Sequence, residues 1–95
     1  MSYDVTVDDW FNYTYNMAPF FKHFGADINA LNGLAAPEAD RIISTALDRI
    51  AQTPESVLRE FDAGNGWGKW GTATDFLRRI RDDCRKHPDA IVEVS

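Results

Sequence analysis

Pro37-Glu38-Ala39-Asp40-Arg41-Ile42-Ile43-Ser44-Thr45-Ala46-Leu47-Asp48-Arg49-Ile50-Ala51 decides the architecture. Proline is at home in the first turn of a helix, where its missing N–H goes unused, and Glu38 and Asp40 favour the positive N-terminal end. Ile42, Ile43, Ala46, Leu47 and Ile50 fall on one stripe, with Arg41, Thr45, Asp48 and Arg49 facing away. The spacing predicts an amphipathic helix over 37–51.

Reading outward toward the C-terminus, Thr53-Pro54-Glu55 opens another helix, with Thr53 as N-cap and Pro54 at the first helical position. Val57, Leu58 and Phe61 form its apolar face, and Ala63-Gly64 stops it. A last helix is expected from about Thr74 to Lys86. Phe76, Leu77, Ile80 and Cys84 face inward; Arg78, Arg79, Arg81, Asp82, Asp83, Arg85 and Lys86 face water, and Pro88 ends it. Toward the N-terminus, Met17, Phe20, Phe21 and Phe24 recur at helical spacing. Pro19 sets that start near Ala18, and Gly25 marks the end. Ile28, Leu31 and Leu34 make a short apolar connector broken by Asn32-Gly33. At the two ends, Tyr3, Val5 and Val7 alternate with polar residues, and Ile91-Val92-Glu93-Val94 is β-branched. These two strands are expected to pair. The whole reads as a mainly helical α+β chain: about four helices packed as one small domain, residues 1–95, with a short two-stranded β element from the terminal segments.

The 95 residues suit a single domain, and 44% hydrophobic with 13% aromatic content supplies the apolar area for a core. No apolar run approaches the roughly 20 residues that span a bilayer. The opening MSYDVTVDDW has neither the basic nor the apolar region of a signal peptide, so a cytoplasmic location is expected. The single cysteine agrees with it. The formal charge is −5, unevenly spread: four basic and ten acidic side chains in residues 1–62, six and five in 63–95. An acidic balance argues against nucleic acid and anionic membrane as partners.

Catalytic signatures are missing: no phosphate-cradling glycine loop, no nucleophile elbow and no HExxH box occur. Cys84 and His87, three apart, supply two ligands where a metal needs three or four. Asp4, Asp8 and Asp9 read as turn caps. The arginines at 78, 79, 81 and 85 suit phosphate, but neighbouring Asp75, Asp82 and Asp83 pair with them at helical spacing. No catalytic residue, metal or cofactor is expected.

Two stretches stand out. Gly64-Asn65-Gly66-Trp67-Gly68-Lys69-Trp70-Gly71 holds four of the six glycines and two of the three tryptophans. It reads either as a ligand or partner site or as a turn whose indoles fold onto the core. Trp10-Phe11-Asn12-Tyr13-Thr14-Tyr15-Asn16 alternates aromatics with amides and a hydroxyl. If it is extended, Asn12, Thr14 and Asn16 share one side; if helical, Asn12 and Asn16 stack. Aromatic walls with a few fixed polar groups are what a pocket needs.

Asn12-Tyr13-Thr14-Tyr15-Asn16 with Met17-Ala18-Pro19, then Gly64-Asn65-Gly66-Trp67-Gly68, Phe76-Leu77, Cys84, and His87-Pro88-Asp89-Ala90 with Val92 and Val94, resembles a family of small, uncharacterised proteins of bacteriophages and their bacterial hosts. The resemblance implies a phage or prophage origin and carries no mechanism. Together the stretches lead to a non-catalytic binding protein. It would engage a host protein or a small molecule through Asn12, Tyr13, Asn16, Asn65, Gly66, Trp67 and Lys69, in the host cytoplasm. The alternative is a homo-oligomer, such as a homodimer, whose own interface is this surface.

Overall fold

The computed structural model describes residues 2–95. Strand β1 (Ser2–Thr6) turns back through residues 7–9 into β2 (Trp10–Thr14), and β3 (Glu93–Val94) lies on the other side of β1. The sheet order is β2-β1-β3, antiparallel throughout. The terminal strands pair as expected, with Val5 opposite Val94 and reciprocal bonds between the Asp4 and Ser95 backbones. To that pair the structure adds β2 as a third strand. The extended reading therefore applies to residues 10–14, and a 3-10 turn at Tyr15–Met17 carries Asn16 off the strand. Tyr3 and Val5 point inward and are buried, because a strand alternates faces. Phe11 and Tyr13, opposite Val5 and Tyr3, share that inner face.

Helix α1 (Ala18–His23) starts at the expected place with Pro19 in its first turn. A second 3-10 turn (Ile28–Leu31) buries Ile28 and Leu31. Helix α2 (Ala36–Ala51) buries Ile43, Ala46, Leu47 and Ile50 against α4 (Trp70–Lys86), whose Ala73, Phe76, Leu77, Ile80 and Cys84 face back. Arg85 ties the two helices on the wet side, its Nε 3.1 Å from Asp40 and a terminal guanidinium nitrogen 3.1 Å from Ser44 Oγ. Phe20, Phe21, Phe24 and Phe61 interlock with Tyr3 and Phe76 at ring separations of 5.1–5.9 Å. These edge-on and tilted contacts add to the area the rings bury.

Three local expectations are corrected. Thr53 does not cap the third helix: its Oγ1 donates to the Arg49 carbonyl at 2.7 Å, closing the last turn of α2. The N-cap is Pro54, and helix α3 is only Glu55–Leu58, followed by a 3-10 turn at Arg59–Phe61. Of its three apolar residues only Leu58 is buried; Phe61 is half-buried and Val57 exposed. Helix α4 begins at Trp70, a turn before Thr74, because Asp62 Oδ1 accepts the Trp70 N–H at 2.7 Å from eight residues upstream. Asp83 is not on the wet side. It is buried, and its Oδ2 accepts the N–H groups of Asp8 (2.9 Å) and Asp9 (2.8 Å), anchoring the β1–β2 turn to α4.

Cys84 lies in the core, and its thiol is pushed up to about 11, first by burial and then by the charges of Asp40 and Asp83. Burial, with smaller contributions from Asp27 and Tyr15, also raises the Tyr3 hydroxyl. In both cases the unfolded chain gives up its proton at lower pH than the folded one. For Cys84 the stability from holding the thiol protonated is therefore complete below pH 9 and is lost as pH rises toward 11, and Tyr3 adds a loss in the same direction above pH 10. Urea midpoints should fall over that window, and a Cys84→Ala variant should show a shallower fall. A midpoint rising with pH there would contradict the burial of both groups.

Candidate functional site

The structure brings the two unusual stretches together. Asn16 Nδ2 donates to the Trp67 carbonyl at 3.1 Å across 51 residues, and the Tyr13 hydroxyl reaches the Lys69 carbonyl (3.1 Å) and Thr72 Oγ1 (2.7 Å). Tyr13 also stacks on Phe76 at 5.2 Å. One aromatic side chain thus fixes β2 to the first turn of α4, and the glycine loop hangs beside it.

Between these elements runs a groove made of two adjoining depressions of about 500 and 660 Å³, open to solvent along their length. Asn12, Tyr13 and Thr72 line both. The first adds Trp10, Phe11, Asp75, Phe76 and Arg79; the second adds Thr14, Asn16, Gly66, Trp67 and Gly68, with Ser2 at its edge. Thr72, Asp75 and Arg79 are spaced three and four apart, so one face of α4 forms a wall. Trp10 and Trp67 stand at the two ends, 64% and 71% exposed. The loop residue Trp67 is therefore not folded onto the core, whereas Trp70, in α4, is half-buried.

Exposed does not mean loose. Asn65 Oδ1 accepts the Trp67 N–H at 2.9 Å, a local turn that fixes the backbone carrying the indole. Ala63 and Gly68 close the loop base through a 3.0 Å backbone bond. Gly68 has φ +123°, and an added Cβ would lie 2.7 Å from Met17 Cγ and 3.0 Å from Thr14 Cγ2, so only glycine lets the loop lie this close to β2. On the outer face of the sheet, Asp4 Oδ1 accepts both the Trp10 indole N–H (3.2 Å) and Asn12 Nδ2 (3.1 Å). Asn12 Nδ2 also lies 3.0 Å from Ser2 Oγ and 3.1 Å from the Tyr3 carbonyl.

Of the residues expected from sequence, Asn12, Tyr13, Asn16, Gly66 and Trp67 line the groove. Asn65 acts one step back, through its bond to Trp67. The Lys69 backbone meets Tyr13, and its side chain is not part of the lining. Sequence reasoning left out Trp10, Thr72, Phe76 and Arg79 as site residues. The i, i+3, i+7 spacing of Thr72, Asp75 and Arg79 carried that signal once α4 was known to start at Trp70. Arg78 pairs with Asp75 (3.0 Å), Arg81 with Asp82 (3.0 Å) and Arg85 with Asp40 (3.1 Å). Arg79 has no acidic partner among the described residues, so it is the uncompensated charge of the groove.

Among the described residues one cluster has metal-ligand chemistry: Asp8, Asp83 and His87, with ligand atoms within 4.8 Å of one another. His87 Nε2 lies 3.3 Å from Asp8 Oδ2 and 3.6 Å from Asp83 Oδ1. Asp83 has already committed its other oxygen to two N–H groups, so the cluster works as a latch on the β1–β2 turn. Cys84 is not part of it.

No helix among the described residues is long and apolar enough to cross a membrane. The chain has no significant match to a protein-family model, a curated protein or a solved structure.

Proposed function

We propose that this is a non-catalytic binding protein that engages a partner protein through the β2–α4 groove and its two flanking indoles. The observation that carries the reading is Trp67: a large apolar side chain, 71% exposed, on a backbone that Asn65 and Asn16 hold in place. Tryptophan and arginine are among the residues that dominate binding energy at interface centres, and Trp10, Trp67 and the unpaired Arg79 all line this groove. The openness of the groove favours a protein over a small molecule, since pockets for small ligands enclose most of the ligand surface. A phage or prophage origin, read from the resemblance, would make the partner a host protein in the bacterial cytoplasm. No cofactor enters this reading.

Replacing Trp67 by alanine tests it. The variant should melt close to wild type, within the about 0.5 kcal/mol typical of surface changes, because the indole packs on little. Partner capture from bacterial lysate, quantified by mass spectrometry against wild-type bait, should drop by about 30-fold or more. A folded Trp67→Ala protein that retains every specifically captured protein would sink the proposal. Sedimentation of the wild type addresses the alternative: a micromolar dimer that Trp67→Ala dissolves would make the groove a self-interface.

A further inference from the structure

Resting on that reading of the groove, we infer that its occupant is an extended segment of the partner polypeptide, which adds to β2 as a fourth strand. The hydrogen-bonding pattern of the sheet carries the inference. Asp4 exchanges backbone bonds with Ser95, so the N–H and C=O of Asp4 face β3. In an antiparallel sheet, consecutive residues of a strand direct these groups to opposite neighbours. Tyr3 and Val5 therefore bond to Tyr13 and Phe11, their register partners, and the backbone groups of Trp10 and Asn12 point away from β1. Because β2 is the edge of the sheet, no fourth strand receives them. Among the described residues, the N–H and C=O of Trp10 and Asn12 find no hydrogen-bond partner elsewhere. A row of donors and acceptors at every second residue is a template for another main chain.

The groove lies along that edge. Its five strand residues span about 17 Å, and the α4 face of Thr72, Asp75 and Arg79 runs beside it. A strand laid there would point alternate side chains onto Phe76 and Phe11, and would bring one of them to Arg79. The occupant is thus an extended segment with apolar residues at alternate positions and a carboxylate facing Arg79. A second copy of this chain fits less well. Its β2 travels with its own α4, joined by the Tyr13 stack and hydroxyl bonds. Pairing two such edges would bring two helices to one flank.

The test uses selection of displayed random short peptides on the wild-type protein, then isotope-labelled protein with a selected synthetic peptide. The expected peptides alternate apolar residues with Asp or Glu, and they slow exchange of the Asn12 amide proton by about tenfold or more. Proline is tolerated on an edge strand. Compared with Asn12→Ala, which loses the same side-chain bonds to Ser2, Tyr3 and Asp4, Asn12→Pro removes in addition that outward N–H but no backbone bond to β1. It should lower affinity at least about tenfold, and Arg79→Glu about fivefold. Should Asn12→Pro fail to fold, the exchange measurement on wild type decides alone. Peptides that need Trp67 yet leave Asn12 exchange unchanged overturn strand addition and leave the partner face standing. Selected peptides that bind Trp67→Ala as well as wild type overturn the partner face itself. Failure to select any peptide tighter than about 1 mM, a few kcal/mol of binding, overturns strand addition. So does a wild-type dimer in which Asn12 is already protected.

Discussion

Replacing Asp83 by alanine is expected to lower the melting temperature by about 10–25 °C, the equivalent of about 2–4 kcal/mol in a domain of this size. Asp83 is 5% exposed, and one of its oxygens accepts two backbone N–H groups, from Asp8 and Asp9. Hydrogen bonds to a charged group contribute about 1.5–3 kcal/mol each. The sum is discounted because Asp8 and Asp9 are exposed, so their freed N–H groups regain water. Asp83→Asn should fall between alanine and wild type, since the amide oxygen still accepts while the charge is gone. Exchange of the Asp8 and Asp9 amide protons should accelerate in both variants. A Asp83→Ala protein melting within about 3 °C of wild type, well under 1 kcal/mol, would show that the turn is not anchored there.

The same anchor explains how so small a protein presents an organised groove. The β1–β2 hairpin is pinned at its turn by Asp83, at its middle by Tyr13 against Phe76 and Thr72, and beyond its end by Asn16 on the Trp67 carbonyl. A lone hairpin is marginal in water. Here α4 supplies the partner for two of those three points, and the glycine loop supplies the third. The residues that display the groove are thereby separated from those that stabilise it: Trp10 and Trp67 stand outward, while Tyr13 and Asp83 hold the frame.

The parts of the fold visible in the sequence are those whose cause is local. The α2 stripe, Pro19 at the start of α1 and the β-branched C-terminal strand each declare themselves within a few residues. The misplaced features depend on distant partners. The start of α4 is set by Asp62, eight residues upstream across the glycine loop. Asp83 sits among arginines and aspartates that look like a solvated face, and only backbone groups 74 and 75 residues away reveal why it is buried. Residues 10–16 satisfied a strand and a helix equally, because aromatics alternating with amides suit both periods. The groove was half legible: Asn12, Asn16 and Trp67 stood out by composition, but Trp10 and Arg79 join only once β2 and α4 lie side by side.

Replacing Gly68 by alanine is expected to cost about 2–6 kcal/mol, measured as a shift in urea midpoint at unchanged slope. Two penalties combine. The backbone stands at φ +123°, where an L side chain is strained by about 1–3 kcal/mol. The new methyl would also lie 2.7 Å from Met17 Cγ, and forcing extra volume into a packed site costs about 1–3 kcal/mol. Met17 is fully buried, so its side chain can give way only by displacing its neighbours in the core. The neighbouring glycines serve as internal standards. Gly66, at φ +79° with open space around it, should cost about 1–2 kcal/mol on replacement by alanine, the left-handed penalty alone. Gly64 has neither a positive φ nor a neighbour within 4 Å, so alanine there should change stability by less than about 0.5 kcal/mol. The graded order, Gly68 above Gly66 above Gly64, separates contact from conformation. Equal costs at all three would mean that the loop does not rest on Met17 and Thr14. If the order holds, Gly68→Ala should also disturb Trp67, whose carbonyl accepts from Asn16 one residue away. Its acrylamide quenching would then change in Gly68→Ala and stay as in wild type in Gly64→Ala. That result would tie the orientation of the exposed indole to the one position in the loop where only hydrogen fits.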